Sequence, residues 1–204
     1  MTQTIQYDNG IYVGEAVDGK RHGFGRYEWK DGSAYEGEFV RGKRTGKGCF
    51  TWPDGSFYEG DFLEDQRTGK GIFVWPGGNR YEGDFVSGRM MGFGVFYYAS
   101  GDKYEGAFED GTRTGLGVFT RANGEKSIGS FFHGQREGLT TVLYPDGSVF
   151  VGQYLHDKRH GEGLYARSKG AAERQVWEQG ELRTSFSVRA DETEGNSLFG
   201  SPVK

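Results

Sequence analysis

Along residues 35–57, YEGEFVRGKRTGKGCFTWPDGSF, two short runs alternate apolar or small residues with polar ones. Tyr35, Gly37 and Phe39 alternate with Glu36 and Glu38; Gly46, Gly48, Phe50 and Trp52 alternate with Lys47, Cys49 and Thr51. A period of two marks a strand with one buried face. The segment between the runs, 40–45, holds Gly42, which is free to take positive φ, and Pro53-Asp54-Gly55 turns the chain out again. The pattern predicts a β-hairpin. Setting Gly37 against Gly48 places Tyr35 opposite Phe50, Phe39 opposite Gly46 and Glu38 opposite Lys47, which joins rings with rings, a ring with glycine, and opposite charges.

The hairpin recurs. A Tyr-x-Gly signal begins at Tyr12, Tyr35, Tyr58, Tyr81 and Tyr104 and continues as Ser127-Ile-Gly129 and Phe150-Val-Gly152, always at an interval of 23 residues. Gly-x-Gly pairs follow in step, except that Thr140 stands in the second place of the sixth unit. Seven units thus occupy 12–172, with 1–11 ahead of them as a partial repeat or cap ending in Tyr7-Asp8-Asn9-Gly10. Glycine inside a strand is unfavourable unless something needs the space. Here the rings need it: columns such as Tyr35, Tyr58, Tyr81, then Phe39, Phe62, Phe85, then Phe50, Phe73, Phe96 are expected to lie over the glycines and stack from unit to unit. A lone hairpin is marginal in water, so the expected product is an all-β elongated solenoid of stacked antiparallel hairpins in one twisted sheet. Fourteen strands would run on the order of 65 Å.

Composition sharpens this picture. The 204 residues include 37 glycines, over twice the usual share of about 7%, but only 4 prolines and as many as 16 Phe, 12 Tyr and 4 Trp. Disordered glycine-rich chains lack such aromatics. The net charge of −4 gives no overall pull toward nucleic acid. One cysteine, Cys49, excludes an intrachain disulfide, and no apolar run reaches membrane-spanning length. A cytoplasmic, soluble protein is expected.

The units resemble MORN repeats, on Tyr35-Glu-Gly37, Gly42, Gly46-Lys-Gly48 and Asp54-Gly55 and their counterparts over seven consecutive units. The resemblance implies an elongated antiparallel sheet that serves as a scaffold in cytoskeletal or membrane-associated assemblies and lacks catalysis of its own. The decay of the last units, from Gly134-Gln-Arg-Glu-Gly138 through Gly161-Glu-Gly163-Leu-Tyr165 to Gly180-Glu181, is similar to the MORN proteins of the ciliary radial spoke head. That narrower likeness implies a cilium or flagellum, with other spoke-head chains of the axoneme as partners.

Few residues invite chemistry. Thr-Gly-Lys-Gly at 45–48 and 68–71 lacks the rest of a phosphate loop. His22 and His160 sit six units apart, and His133 and His156 have no ligand-spaced companions, so no metal or other cofactor is expected. Carboxylates such as Glu36, Glu59 and Glu82 fall on an open face with lysines opposite, so the chain is not expected to be an enzyme.

Two features suggest recognition. Arg21, Arg44, Arg67, Arg113, Arg136 and Arg159 fall at one place in successive hairpins, a basic ladder suited to an acidic partner or phospholipid headgroups. Separately, the face opposite the glycines turns apolar along the chain: Lys47, Cys49 and Thr51 of the second unit become Phe93, Val95 and Tyr97, then Leu116 and Val118, Leu139 and Leu143, and Leu164, while Glu105 gives way to Ile128 and Val151. A solvated face stays polar, so something should cover this one: another subunit, another copy of this chain in a homodimer or repeat-to-repeat pairing, or the C-terminal segment. Residues 173–183, around Val176-Trp177, read as a capping strand out of step with the repeats, and 184–204 as a polar tail with Leu198 and Phe199 as anchors. The leading function is therefore a non-catalytic scaffold binding other proteins of a large assembly. The alternative is a peripheral membrane tether that binds acidic phospholipid through the loop arginines.

Overall fold

The computed structural model describes residues 2–188, and every regular element among them is a β-strand. The fold is all-β and built of stacked antiparallel hairpins. The chain divides into two units between Arg113 and Thr114. The first contains β1 (Thr2–Tyr7), β2 (Gly10–Val17), β3 (Lys20–Trp29), β4 (Ala34–Val40), β5 (Lys43–Thr51), β6 (Phe57–Leu63), β7 (Gln66–Val74), β8 (Arg80–Val86), β9 (Arg89–Tyr97) and β10 (Lys103–Glu109), each antiparallel to the next. The second contains all but the first two residues of β11 (Thr112–Thr120), then β12 (Lys126–Phe132), β13 (Gln135–Leu143), β14 (Val149–Leu155), β15 (Lys158–Ala166), β16 (Ala172–Glu178) and β17 (Glu181–Val188), again paired in chain order.

Within the β4–β5 hairpin, Tyr35 faces Phe50 and Gly37 faces Gly48, as the alternation predicts. Beyond the glycine pair the register departs from expectation: Phe39 faces Arg44, not Gly46. The cause is the turn. Arg41 and Gly42 both take positive φ, 50° and 90°, giving a tight two-residue loop that sets Val40 against Lys43. The second strand then has residues to spare, and it sheds them in a bulge where Gly46 takes φ 80°. The expected ring-on-glycine and charge pairs form instead between repeats: Gly46 faces Phe62, and Lys47 faces Asp61 with Nζ 2.6 Å from its carboxylate. Glu38 does not meet the Lys47 ammonium but accepts its backbone N–H at 2.9 Å, closing the bulge.

The core of the first unit lies on the aromatic side of the sheet. Tyr12, Tyr35, Tyr58, Tyr81 and Tyr104 are fully buried, the first four each over a glycine pair. Their hydroxyls donate to the carbonyl three residues on, at 2.6–3.2 Å, beside the bulge. Phe39, Phe62 and Phe85 each stand edge-on between two of these rings; Tyr35 meets Phe39 and Phe62 at 5.0 Å with interplanar angles of 86° and 81°. A second file of tilted rings runs Tyr27, Trp29, Phe50, Trp52, Phe73, Trp75, Phe96 and Tyr98, with centroids 4.4–5.4 Å apart. In the second unit Val142, Phe150 and Tyr154 form the buried cluster, with Trp177 packed against it.

Both ends depart from the sequence reading. At the start, Ile5 faces Tyr12, so β1 caps β2 one residue out of the register the repeats use. At the other end, 173–183 is not a single strand out of step. It belongs to an eighth hairpin, β16–β17, whose Gln179-Gly180 turn falls 23 residues after His156-Asp157. Trp177 faces Gly161 and Gln175 faces Gly163, as Phe62 and Gly60 face Gly46 and Gly48. Residues 184–188 lie in β17 rather than in a tail; Leu198 and Phe199 fall outside the described residues.

Candidate interaction surfaces

The arginine ladder does not form an open basic edge. The bulge turns each guanidinium inward, onto the rings. The Arg44 guanidinium lies 5.1 Å from the Phe50 centroid, Arg67 5.0 Å from Phe73, and Arg21 4.8 Å from Tyr27. Arg113 stands 5.4 Å from Tyr104, Arg136 4.6 Å from Tyr154, and Arg159 4.0 Å from Phe150. Such contacts stabilise by roughly 0.5–2 kcal/mol each, more as water is excluded. The same side chains reach the next hairpin loop: Arg21 Nη2 donates to the Gly42 carbonyl at 2.6 Å and Arg67 Nη2 to Gly88 at 2.8 Å. Arg44 and Arg136 also pair with Asp65 and Asp157 at 3.0 Å. Only 20% and 14% of these two side chains remain exposed. Burial lowers the Arg67 pKa and pushes the Tyr58 phenol up to about 12.

The opposite face is open. In the first unit it hollows into a trough of about 910 Å³ with glycine backbone in its floor and Phe24, Ile72, Phe93 and Val95 in its lining. Phe93 is 61% exposed. Tyr97 differs from expectation in carrying the Arg80 guanidinium over its ring, at 5.2 Å. Cys49 lines the same trough, its thiol pKa raised by burial and by Glu59 and Glu36. In the second unit Val118, Ile128, Thr141, Val151 and Leu164 are successive cross-strand neighbours, a row broken only by Thr141. Leu116, 76% exposed, lies beside that row with Leu139 and Leu143. Phe24 and Phe186, both exposed, were missed. Phe24 occupies the repeat column of Phe93, so the phase of the pattern held the signal. Among the described residues, no cluster of three His, Cys, Asp or Glu side chains is placed to hold a metal ion.

A family model, the MORN repeat, matches residues 12–34, 35–57, 58–80, 81–103, 104–126, 128–149 and 150–172. The chain belongs to the MORN repeat family. Its seven matched repeats follow the boundaries given by the glycine period, the sixth beginning one residue late, and the eighth hairpin follows the last of them. Comparison with curated protein sequences gives no match for this MORN protein. Among solved structures it is similar to the TCP domain of Drosophila melanogaster SAS-4 (dCPAP), solved in complex with a proline-rich motif of Ana2 (dSTIL). The identity is 12% and the TM-score 0.50, over 86% of this chain and 90% of that one. A mutant TCP10 domain of Danio rerio CPAP aligns at 14% identity and a TM-score of 0.43, over 92% and 95%. At this identity the SAS-4 likeness is one of fold.

Proposed function

We propose that this MORN protein is a non-catalytic scaffold that binds other proteins through the glycine-backed outer face of its sheet, in a cytoskeletal assembly such as the radial spoke head of a motile axoneme. The carrying observation is the exposure of Phe93 in the first unit and of Leu116 in the second, each on a strand face that would be polar were it simply solvated. The SAS-4 domain, of like fold, was solved with a segment of another protein bound, which supports a protein partner. The packing of Arg21, Arg44 and Arg67 on rings and their bonds to neighbouring loops favour this reading over a membrane tether. Crosslinking mass spectrometry on native axonemes should place spoke-head chains against residues of the outer face. The paired substitution Phe93→Glu and Leu116→Glu should abolish co-sedimentation with that partner while the circular dichroism spectrum stays native. Unchanged co-sedimentation would reject the interface.

A further inference from the structure

The outer face leaves the aromatic face unassigned, and that face carries a groove which repeats. One cleft of about 360 Å³ is lined by Tyr27, Trp29, Arg21 and Arg44, and a second of the same volume by Phe50, Trp52, Arg44 and Arg67. Each of these four residues of the second stands 23 positions after its counterpart in the first, and Asp65, paired to Arg44, borders both. The tryptophans are half-buried, with rings tilted against their neighbours. Their spacing follows from the ring file: Trp52 meets Phe73 at 5.3 Å and Phe73 meets Trp75 at 4.5 Å, so Trp52 and Trp75 lie at most about 10 Å apart. Two strands per repeat give about 9.6 Å. A polyproline II helix advances about 9.3 Å per three-residue turn. Such a segment laid across the strands meets equivalent tryptophans with every third residue, and it arrives already stiff, so little entropy is lost on docking.

Charge adds a second requirement. Asp65 answers Arg44 and Asp157 answers Arg136, but the residue in that place for Arg67 is Gly88, which supplies only a carbonyl. The Arg67 guanidinium is thus held in the groove, partly desolvated, without a carboxylate. We propose that the aromatic face of the first unit is a docking track for a proline-rich, acidic segment of a partner protein, with prolines on Trp29, Trp52 and Trp75 and a carboxylate on Arg67. This deepens the scaffold reading and rests on it, while assigning a different face.

Fluorescence anisotropy tests it with a labelled peptide of four Pro-Pro-Glu triplets and a Gly-Gly-Glu control of equal charge. The proline peptide should bind at least about tenfold more tightly, and Trp52→Leu should remove that advantage. Gly88→Asp is the cleaner variant: it copies the Asp65 arrangement, Asp65 itself has φ 72°, and a Cβ at Gly88 meets nothing closer than 3.7 Å. At φ 82° the new side chain carries some backbone strain, so the melting temperature should fall slightly while the fold persists, and the peptide should bind about tenfold more weakly because the missing carboxylate now comes from within. Equal affinity for the two peptides, or undiminished affinity in Gly88→Asp, overturns the proposal. The Phe93→Glu, Leu116→Glu pair should leave peptide binding intact. Loss of partner binding in that pair, with no preference for proline peptide in the wild type, would keep the scaffold and remove the track.

Discussion

At the scale of the residue, the glycine pair decides what the tyrosine can do. A Cβ added at Gly48 would lie 2.3 Å from the Tyr35 hydroxyl oxygen and 2.5 Å from its ring, where real side chains cannot go. Gly48→Ala therefore must displace a fully buried ring, and unfolding in urea should show a loss of about 2–3 kcal/mol. Gly77 gives the control: a Cβ there meets nothing within 4 Å, so Gly77→Ala should leave the midpoint within about 0.5 kcal/mol of wild type. Burial acts on the phenols as well. It pushes Tyr58 and Tyr104 up to about 12 and raises Tyr35 and Tyr81 too. An unfolded phenol titrates near 10, so the stability from the neutral folded phenols is fully present below about pH 10 and drains away as pH rises toward about 12. Urea midpoints measured at about pH 8 and about pH 11 should fall, and Tyr58→Phe should make the fall smaller.

At the scale of the element, one hairpin shows that ring and glycine are a matched set. In β12–β13 the ring is lost to Ser127, and the facing glycine position holds Thr140 instead; both are buried, at 2% and 1% exposure. Arg136 Nη1 donates to the Ser127 hydroxyl at 3.0 Å, in the space a phenyl ring fills elsewhere. The side-chain volume has moved across the ladder rather than vanished. Ser127→Tyr alone should crowd Thr140, and Thr140→Gly alone should open a void, each lowering stability. Together they rebuild the standard pair, and a double-mutant cycle in urea should give a favourable coupling of about 1–3 kcal/mol. The hairpin's glycine-to-glycine register was legible because alternation and the Gly-x-Gly pair both point to it. The bulge was not, since it arises from a two-residue turn, Arg41-Gly42, that competes with the glycine pair for register. The eighth hairpin was hidden for the opposite reason: Glu173, Gln175 and Trp177 keep the period after the letters of the motif are gone.

At the scale of the molecule, the repeat made the architecture readable, because a period without insertions lets one hairpin stand for all. The apolar outer face was readable on the same ground, since column and face are one thing in a period-two strand. The arginine column misled: a cation beside a turn looks solvated until the bulge that folds it onto the rings is known. That difference has a direct consequence at a membrane. Of the outer loop cations, Lys43 pairs with Glu64 at 3.0 Å and Arg89 with Asp110 at 2.5 Å, so these two are balanced by acids. With a net charge of −4 behind them, these loops should give no salt-sensitive attraction to anionic lipid. Liposome flotation with phosphoinositide-containing vesicles at low salt should leave the protein in the soluble fraction. Arg44→Glu with Arg67→Glu should change its melting temperature, through the lost ring contacts, and not its partition. Flotation that is abolished by salt and by that pair of substitutions would instead restore the arginines to a membrane surface.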